Sequence, residues 1–321
     1  MTLTPSKMPT RRAFAERMRD VGELRDDFAV FESDIGYSTY SYLFGDRYPK
    51  RYFNMGIAEM ATVAAAAGMA ADGRPAIVCG YGVFLTMRAL EVVRSFVCYP
   101  NLNVKFLSSH GGVTAAIDGV THQATEDIAF MTTLPNMKVL VPCDSASARA
   151  AFDIALATPG PVFTRLMRDP LFELYDETEI FTLGGSKKPR EGTDVTIATY
   201  GDCVFPALEA AERLASEGVS AEVLDLYCLK PWDEEAIRSS LLKTGALVVC
   251  ENHQKRNGLG YELGVWALEN MPLPFARLGL DDTFAESGNY QKTLAAFGMD
   301  ADAIVEAARK VVAAKLGRRQ T

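Results

Sequence analysis

The chain has 321 residues, with 33 Lys or Arg against 41 Asp or Glu and a formal charge of −8. About 150 residues make a domain, so the length points to two, and an apolar content of 48% is ample for two ordinary cores. The acidic surplus argues against nucleic-acid or membrane partners, because both need clustered positive charge. Stretches without a charge or strongly polar group, such as that around residues 60–71, run to about a dozen residues, and a membrane span needs roughly twenty. The start, MTLTPSKMPTRRAF, lacks the apolar region of a secretory signal, and six scattered cysteines show no CxxC or metal spacing. They read as reduced thiols in buried elements, and a cytoplasmic protein is expected.

In chain order, β-rich runs fall at residues 28–32, 76–79, 104–108, 138–141 and 162–165. A second set follows at 195–200, 221–226, 246–251 and 275–279, and helical segments lie between them at 56–71, 85–99, 145–157, 204–216 and 234–242. Strands separated by helices of this length predict parallel βαβ units. The rhythm breaks over residues 171–193, which are polar and rich in turn formers. The expected fold is therefore α/β, with two doubly wound parallel-sheet domains at 8–175 and 194–321, joined by a linker at 176–193.

Chemistry is sought first at the three histidines, His110, His122 and His253. The first two bracket one glycine-containing loop, residues 108–123, which also carries Asp118 and follows a strongly apolar strand. Loops at strand C-termini are where open α/β sheets bind ligands, and glycines allow close backbone approach. A surface loop with incidental histidines is an equal reading; zinc held by His110, Asp118 and His122 is a third, though the spacing is unlike common zinc patterns. The second feature is RYFNMGIAEM, residues 51–60, running into a helix of small residues. Asn54 is expected to cap that helix, placing Glu59 near its start. Taken alone, Glu59 reads as a solvated carboxylate favoured by the helix dipole; a desolvated, proton-sharing group is the alternative.

Read together, these segments resemble the C-terminal half of transketolase, specifically the separate C-terminal subunit of split transketolases. The matching stretches are RYFNMGIAEM, GYGVFLTMRALEVVR and YPNLNVKFLSSHGGVTAAIDGVTHQATEDIAFMTTLPNMKVLVPCD, then DVTIATYGD, LDLYCLKPWDEE, VVCENHQKRNGLG and DDTFAESG. They run in order over essentially the whole chain. The resemblance implies a thiamine-diphosphate enzyme of two domains, a pyrimidine-binding domain and a transketolase C-terminal domain, that transfers a two-carbon ketol unit between sugar phosphates. In that family a GDG motif and a downstream asparagine hold the diphosphate and Mg²⁺. Here Gly201-Asp202-Cys203 lacks the second glycine. An N-terminal partner subunit carrying GDG is therefore expected, with two copies of each chain in a heterotetramer and a contact between copies of this one.

Residue by residue, the resemblance implies that Glu59 hydrogen-bonds the aminopyrimidine ring nitrogen and favours its imino tautomer, which prepares the thiazolium carbon for attack on a ketose carbonyl. Phe84 packs on the ring, Met87 stands in a position often aromatic, and Asp34 lies at an interface near the cofactor. Leu90 replaces a frequent tyrosine, and Ile117 replaces an acidic neighbour of Asp118. His110, His122 and Asp118 face the substrate hydroxyls. Arg11, Ser38 and Arg168 lie where transketolases bind the terminal phosphate, with Arg165 as a neighbouring candidate; arginine suits phosphate because its fork donates parallel charge-assisted bonds. His253 is expected to be structural or interfacial. The competing readings are a β subunit of a 2-oxo-acid dehydrogenase, a synthase joining pyruvate to a triose phosphate, and a nonenzymatic regulatory scaffold. An NAD-dependent dehydrogenase fits poorly, since no GxGxxG follows the first strand.

Overall fold

The computed structural model describes residues 3–318, so the last three residues of the expected 194–321 domain lie outside the described residues. The chain divides into two compact units, 1–115 with 121–183, and 116–120 with 184–321. No helix of the described residues is long and apolar enough to cross a membrane.

The first unit is built on strands β1 (Ala29–Glu32), β2 (Tyr52–Asn54), β3 (Ala76–Tyr81), β4 (Val104–Ser109), β5 (Lys138–Leu140) and β6 (Val162–Arg165). They pair in the order β5-β6-β4-β3-β1-β2, every pair parallel. Strands β1, β4 and β6 are buried along their whole length, as expected for a sheet covered on both faces. The chain leaves β1 for β2 on one side and returns to β3 on the other. Ligands of open α/β sheets bind at such a reversal, beyond the strand C-termini.

Helix α1 (Thr10–Leu24) has no counterpart among the predicted elements, because its Arg, Glu and Asp residues mask the apolar face. That face, Phe14, Met18 and Val21, packs with Phe28, Phe152 and Leu156 in one cluster, and the Phe14 and Phe152 rings meet edge-on at 5.2 Å. Helix α2 (Glu59–Ala71) starts three residues later than expected, and Asn54 is not its cap. Asn54 is the last residue of β2, and its side chain accepts from Gly56 N and donates to Asp34. Gly56 then turns at φ 73°, so the first helical residue is Glu59 itself. The expected 85–99 helix is two π-helical stretches, Phe84–Arg88 and Val93–Cys98, around the α-turn Leu90–Val92. Helix α3 (Ser145–Ala157) begins at a capping box in which Asp144 accepts from Ser147 N.

The second unit has strands β7 (Lys187–Arg190), β8 (Val195–Thr199), β9 (Ala221–Asp225), β10 (Leu247–Gln254) and β11 (Phe275–Leu280) in the order β11-β10-β8-β9-β7. In this sheet β7, which falls within the expected linker, runs antiparallel to its neighbour, while β9, β8, β10 and β11 pair in parallel. Its Lys-Lys-Pro-Arg sequence suits an edge, where proline and charge discourage further pairing. Helices α4 (Val204–Ser216), α5 (Glu234–Thr244), α6 (Leu259–Asn270) and α7 (Ala301–Arg318) belong to it, with a shorter helix at Tyr290–Ala296. Both units are α/β with mainly parallel sheets, as the alternation of elements predicts.

Candidate functional site

The side chains singled out in the first unit gather at the C-terminal ends of its strands. His110 follows β4 with φ 65°, a conformation that costs a non-glycine residue about 1–3 kcal/mol and tends to persist at functional sites. Its ring is 2% exposed, and Nδ1 lies 2.7 Å from Ser109 Oγ. Burial, with Arg11, Arg168 and His122 nearby, pushes its pKa down to about 2, so the imidazole is neutral at ordinary pH. His122 Nδ1 lies 2.9 Å from Thr121 Oγ1. Between the two histidines stands Tyr81, the last residue of β3, with its ring centroid 4.3 Å from His110 and 5.5 Å from His122. Phe84 completes this wall, 5.9 Å from Tyr81 and 5.6 Å from His122.

Arg11, in the first turn of α1, donates from Nε to the Arg168 carbonyl and from Nη1 to both the Ser38 carbonyl and Ser38 Oγ. Tyr81 donates its hydroxyl to the same Ser38 Oγ at 2.8 Å. Arg168 follows β6 and donates to Asp169 at 2.7 Å. Burial lowers the Arg11 pKa most, and the neighbouring Arg168 charge lowers it further, while Tyr40 and Asp169 act the other way. Arg165 is committed elsewhere: it is buried, bonded to Asp127 at 2.8 Å and to the Ala124 carbonyl.

Glu59 is 3% exposed at the head of α2. Arg88 Nη1 donates to its Oε2 at 3.0 Å, and the Arg88 guanidinium lies 4.9 Å from the centre of the Phe84 ring. Among the described residues no donor reaches Oε1. A buried carboxylate with one oxygen engaged by an arginine, and that arginine lying over an aromatic ring, can offer its other oxygen to a ring nitrogen. Met87 is 41% exposed on the same π-helical turn. Asp34, at φ 61° after β1, is exposed and accepts from Asn54. Asp118 is exposed and belongs to the 116–120 segment that groups with the second unit. His253 is fully buried in β10, 2.7 Å from the Gln254 carbonyl through Nδ1. Among the described residues no group of three His, Cys, Asp or Glu is placed to hold a metal ion.

Sequence reasoning missed Tyr81, Arg88 and Asp169. A signal existed for Arg88, four residues after Phe84 on one helical segment; none marked the Tyr81 hydroxyl.

Residues 6–172, more than half of the chain, match the family described as transketolase, pyrimidine binding domain. The chain belongs to the transketolase family. Residues 184–304 match the transketolase C-terminal domain. The chain is 38% identical over 305 residues to the 6-deoxy-6-sulfo-D-fructose transketolase subunit SqwH of Clostridium sp. (strain MSTE9), covering 95% of each. It is 32% identical over 303 residues to one of the subunits of the apulose-4-phosphate transketolase of Phocaeicola vulgatus, covering 94% of this chain and 97% of that one. A solved split-gene transketolase, described as an inactive beta4 tetramer, superposes with a TM-score of 0.89 at 37% identity, over 96% of this chain and 99% of that one. Transketolases depend on thiamine diphosphate.

Proposed function

We propose that this chain is the C-terminal subunit of a two-subunit transketolase. It moves a two-carbon ketol unit from a ketose to an aldose and works only with an N-terminal subunit that holds the diphosphate and Mg²⁺. The observation that carries the reading is the joint placement, in one unit, of the buried Glu59 carboxylate, joined to Phe84 through Arg88, of His122 beside Phe84, and of His110 near Arg11 and Arg168. Similarity to chains named as transketolase subunits supports the division of labour, as does the resemblance-based expectation that the GDG motif lies on another chain. The domain limits 8–175 and 194–321 belong to the same reading, with the sheet of the second domain reaching back into 176–193 through β7.

When bound, thiamine diphosphate supplies the carbon nucleophile for such a transfer. Glu59 shares a proton at the pyrimidine ring nitrogen and so sets its tautomer. His110, neutral and buried, and His122 hydrogen-bond the oxygens of the sugar. Asp118 holds a hydroxyl, Asp34 lies near the cofactor at a chain interface, and Met87 lines the ring pocket. Arg11, Ser38 and Arg168 take the terminal anion. Two relatives are named for sugars bearing a sulfonate or a phosphate, which supports an anionic end group. A site built to hydrogen-bond hydroxyls rejects analogues lacking them.

The test is reconstitution. Alone, with saturating thiamine diphosphate and Mg²⁺, the chain shows no ketol transfer from a panel of ketose phosphates and sulfonates. Co-expressed with its partner it turns over, and light scattering gives two copies of each chain, the closed two-fold arrangement commonest for such complexes. Turnover by rigorously partner-free protein, or a fully active complex with one copy of each chain, overturns the reading.

A further inference from the structure

The Glu59–Arg88 contact joins a side chain that is 4% exposed to one that is 51% exposed. Pairs with both ends in water contribute little, but here the carboxylate is withdrawn from solvent and gains most from a nearby cation. Ala89 N bonds to the Phe84 carbonyl, five residues back, and this π-helical turn returns Arg88 to Phe84 so that its guanidinium lies over the ring. π-Helical turns are uncommon and recur at functional sites. Arg88 is thus held from one side by a ring and engages from the other a single carboxylate oxygen.

No other charged side chain reaches Glu59 among the described residues. Of the ionisable groups on the elements packed against α2, Glu32 accepts from Ile35 N, Tyr81 donates to Ser38, and Arg94 bonds Ser95. Lys105 bonds the Thr158 and Gly160 carbonyls, Cys79 and Cys98 are buried thiols, and Glu91 is exposed.

We propose that Arg88 is the positioning residue of the Glu59 carboxylate. It fixes Oε2 before the site is filled, leaving Oε1 as the oxygen that meets the pyrimidine ring nitrogen. A carboxylate anchored at one oxygen presents the other in a single orientation, so the proton shared with the ring needs no reorganisation. This inference rests on the reading of Glu59 as the pyrimidine partner, and it adds a residue to that reading.

The first measurement needs no cofactor. High-resolution crystal structures of the isolated chain are compared for wild type, Arg88→Met and Arg88→Lys. The Glu59 carboxylate is expected in one orientation in wild type, in two or more in Arg88→Met, and again in one in Arg88→Lys. A single, unchanged orientation in Arg88→Met overturns the proposal. The second measurement uses the reconstituted complex. Arg88→Met should lower kcat about tenfold or more with a smaller change in the Kd for thiamine diphosphate, and should weaken the near-ultraviolet circular dichroism of the bound imino tautomer. An unchanged kcat and dichroism also overturn it. If Glu59→Gln is inactive while Arg88→Met behaves as wild type, the Arg88 proposal fails and the function stands. If Glu59→Gln retains full activity, the function of Glu59 fails first, and the proposal with it.

Discussion

Tyr81 serves two neighbours at once: its ring lies 4.3 Å from the ring of His110, and its hydroxyl donates to Ser38 Oγ, which also accepts from Arg11. One residue at the end of a strand therefore ties the histidine wall to the paired arginines. Tyr81→Phe keeps the ring and loses the donor. A partly buried hydrogen bond of this kind contributes about 1 kcal/mol, so thermal stability should fall only slightly. KM for anionic ketoses should rise several-fold while kcat changes little, because Ser38 and Arg11 lose a common anchor. Steady-state kinetics of the reconstituted enzyme checks this; equal losses in kcat and KM would place Tyr81 in the chemistry instead.

Glu59→Gln is expected to leave the fold intact, since the amide oxygen can still accept from Arg88. Turnover should fall about a thousandfold, the equivalent of roughly 4 kcal/mol of transition-state stabilisation, because an amide cannot share a proton with the ring. Melting curves and single-turnover rates on the same preparation separate the two effects. Retention of more than about a tenth of the rate would remove Glu59 from this role.

Two arginines three residues apart should respond in opposite ways. Arg168→Ala should raise KM by about 10- to 100-fold for ketoses with a terminal anion and far less for a short donor without one, as expected for a charge-assisted contact worth about 1.5–3 kcal/mol. Arg165→Ala leaves Asp127 buried without its cation and should cost about 3–5 kcal/mol of stability, whatever the donor. A loss in Arg168→Ala that is equal for both donors would make Arg168 structural.

His110 makes stability depend on pH in a defined direction. Its folded-state pKa is lowered to about 2 from 6.5, so below pH 6.5 the unfolded chain binds a proton that the native state refuses. Its contribution is complete above that pH and declines as pH falls toward 2, by at most about 1.4 kcal/mol per pH unit. Urea unfolding at pH 7 and pH 5 should show wild type losing about 2 kcal/mol more than His110→Gln over that interval. Parallel losses in both proteins would mean that His110 titrates freely in the native state.

Much of the fold was legible because its strands are buried on both faces. Val162–Arg165, Ser145–Ala157 and Val204–Ser216 lie where their apolar patterns and flanking turns predict. Helix α1 escaped because a narrow stripe of Phe14, Met18 and Val21 is enough to bury it, leaving most of its surface charged. Strand β7 escaped because an edge strand of lysine, proline and arginine has no apolar period to read. The helix start was misplaced because Asn54 has the right chemistry for a cap and uses it on a turn instead. At the site, residue types drew attention to the loop of His110 and His122, whereas Glu59, which read alone as a solvated carboxylate and is buried, was singled out by the resemblance. The partners that orient them, Arg88 and Tyr81, are set by a π-helical turn and a strand end, which no spacing of residue types announces.

The Phe84–Arg88 turn behaves as an insertion that the chain has absorbed. Each residue added to or removed from a helix rotates everything beyond it by about 100° about the axis. Deleting Met87, one of the two most exposed residues of that turn, would restore an ordinary α-helical hydrogen-bond span and swing the following guanidinium away from Glu59. A shortened chain of this kind could keep its carboxylate, its histidines and its core, and still lose the alignment between them. Among relatives, the length of this turn is therefore as informative as the identity of the residues in it.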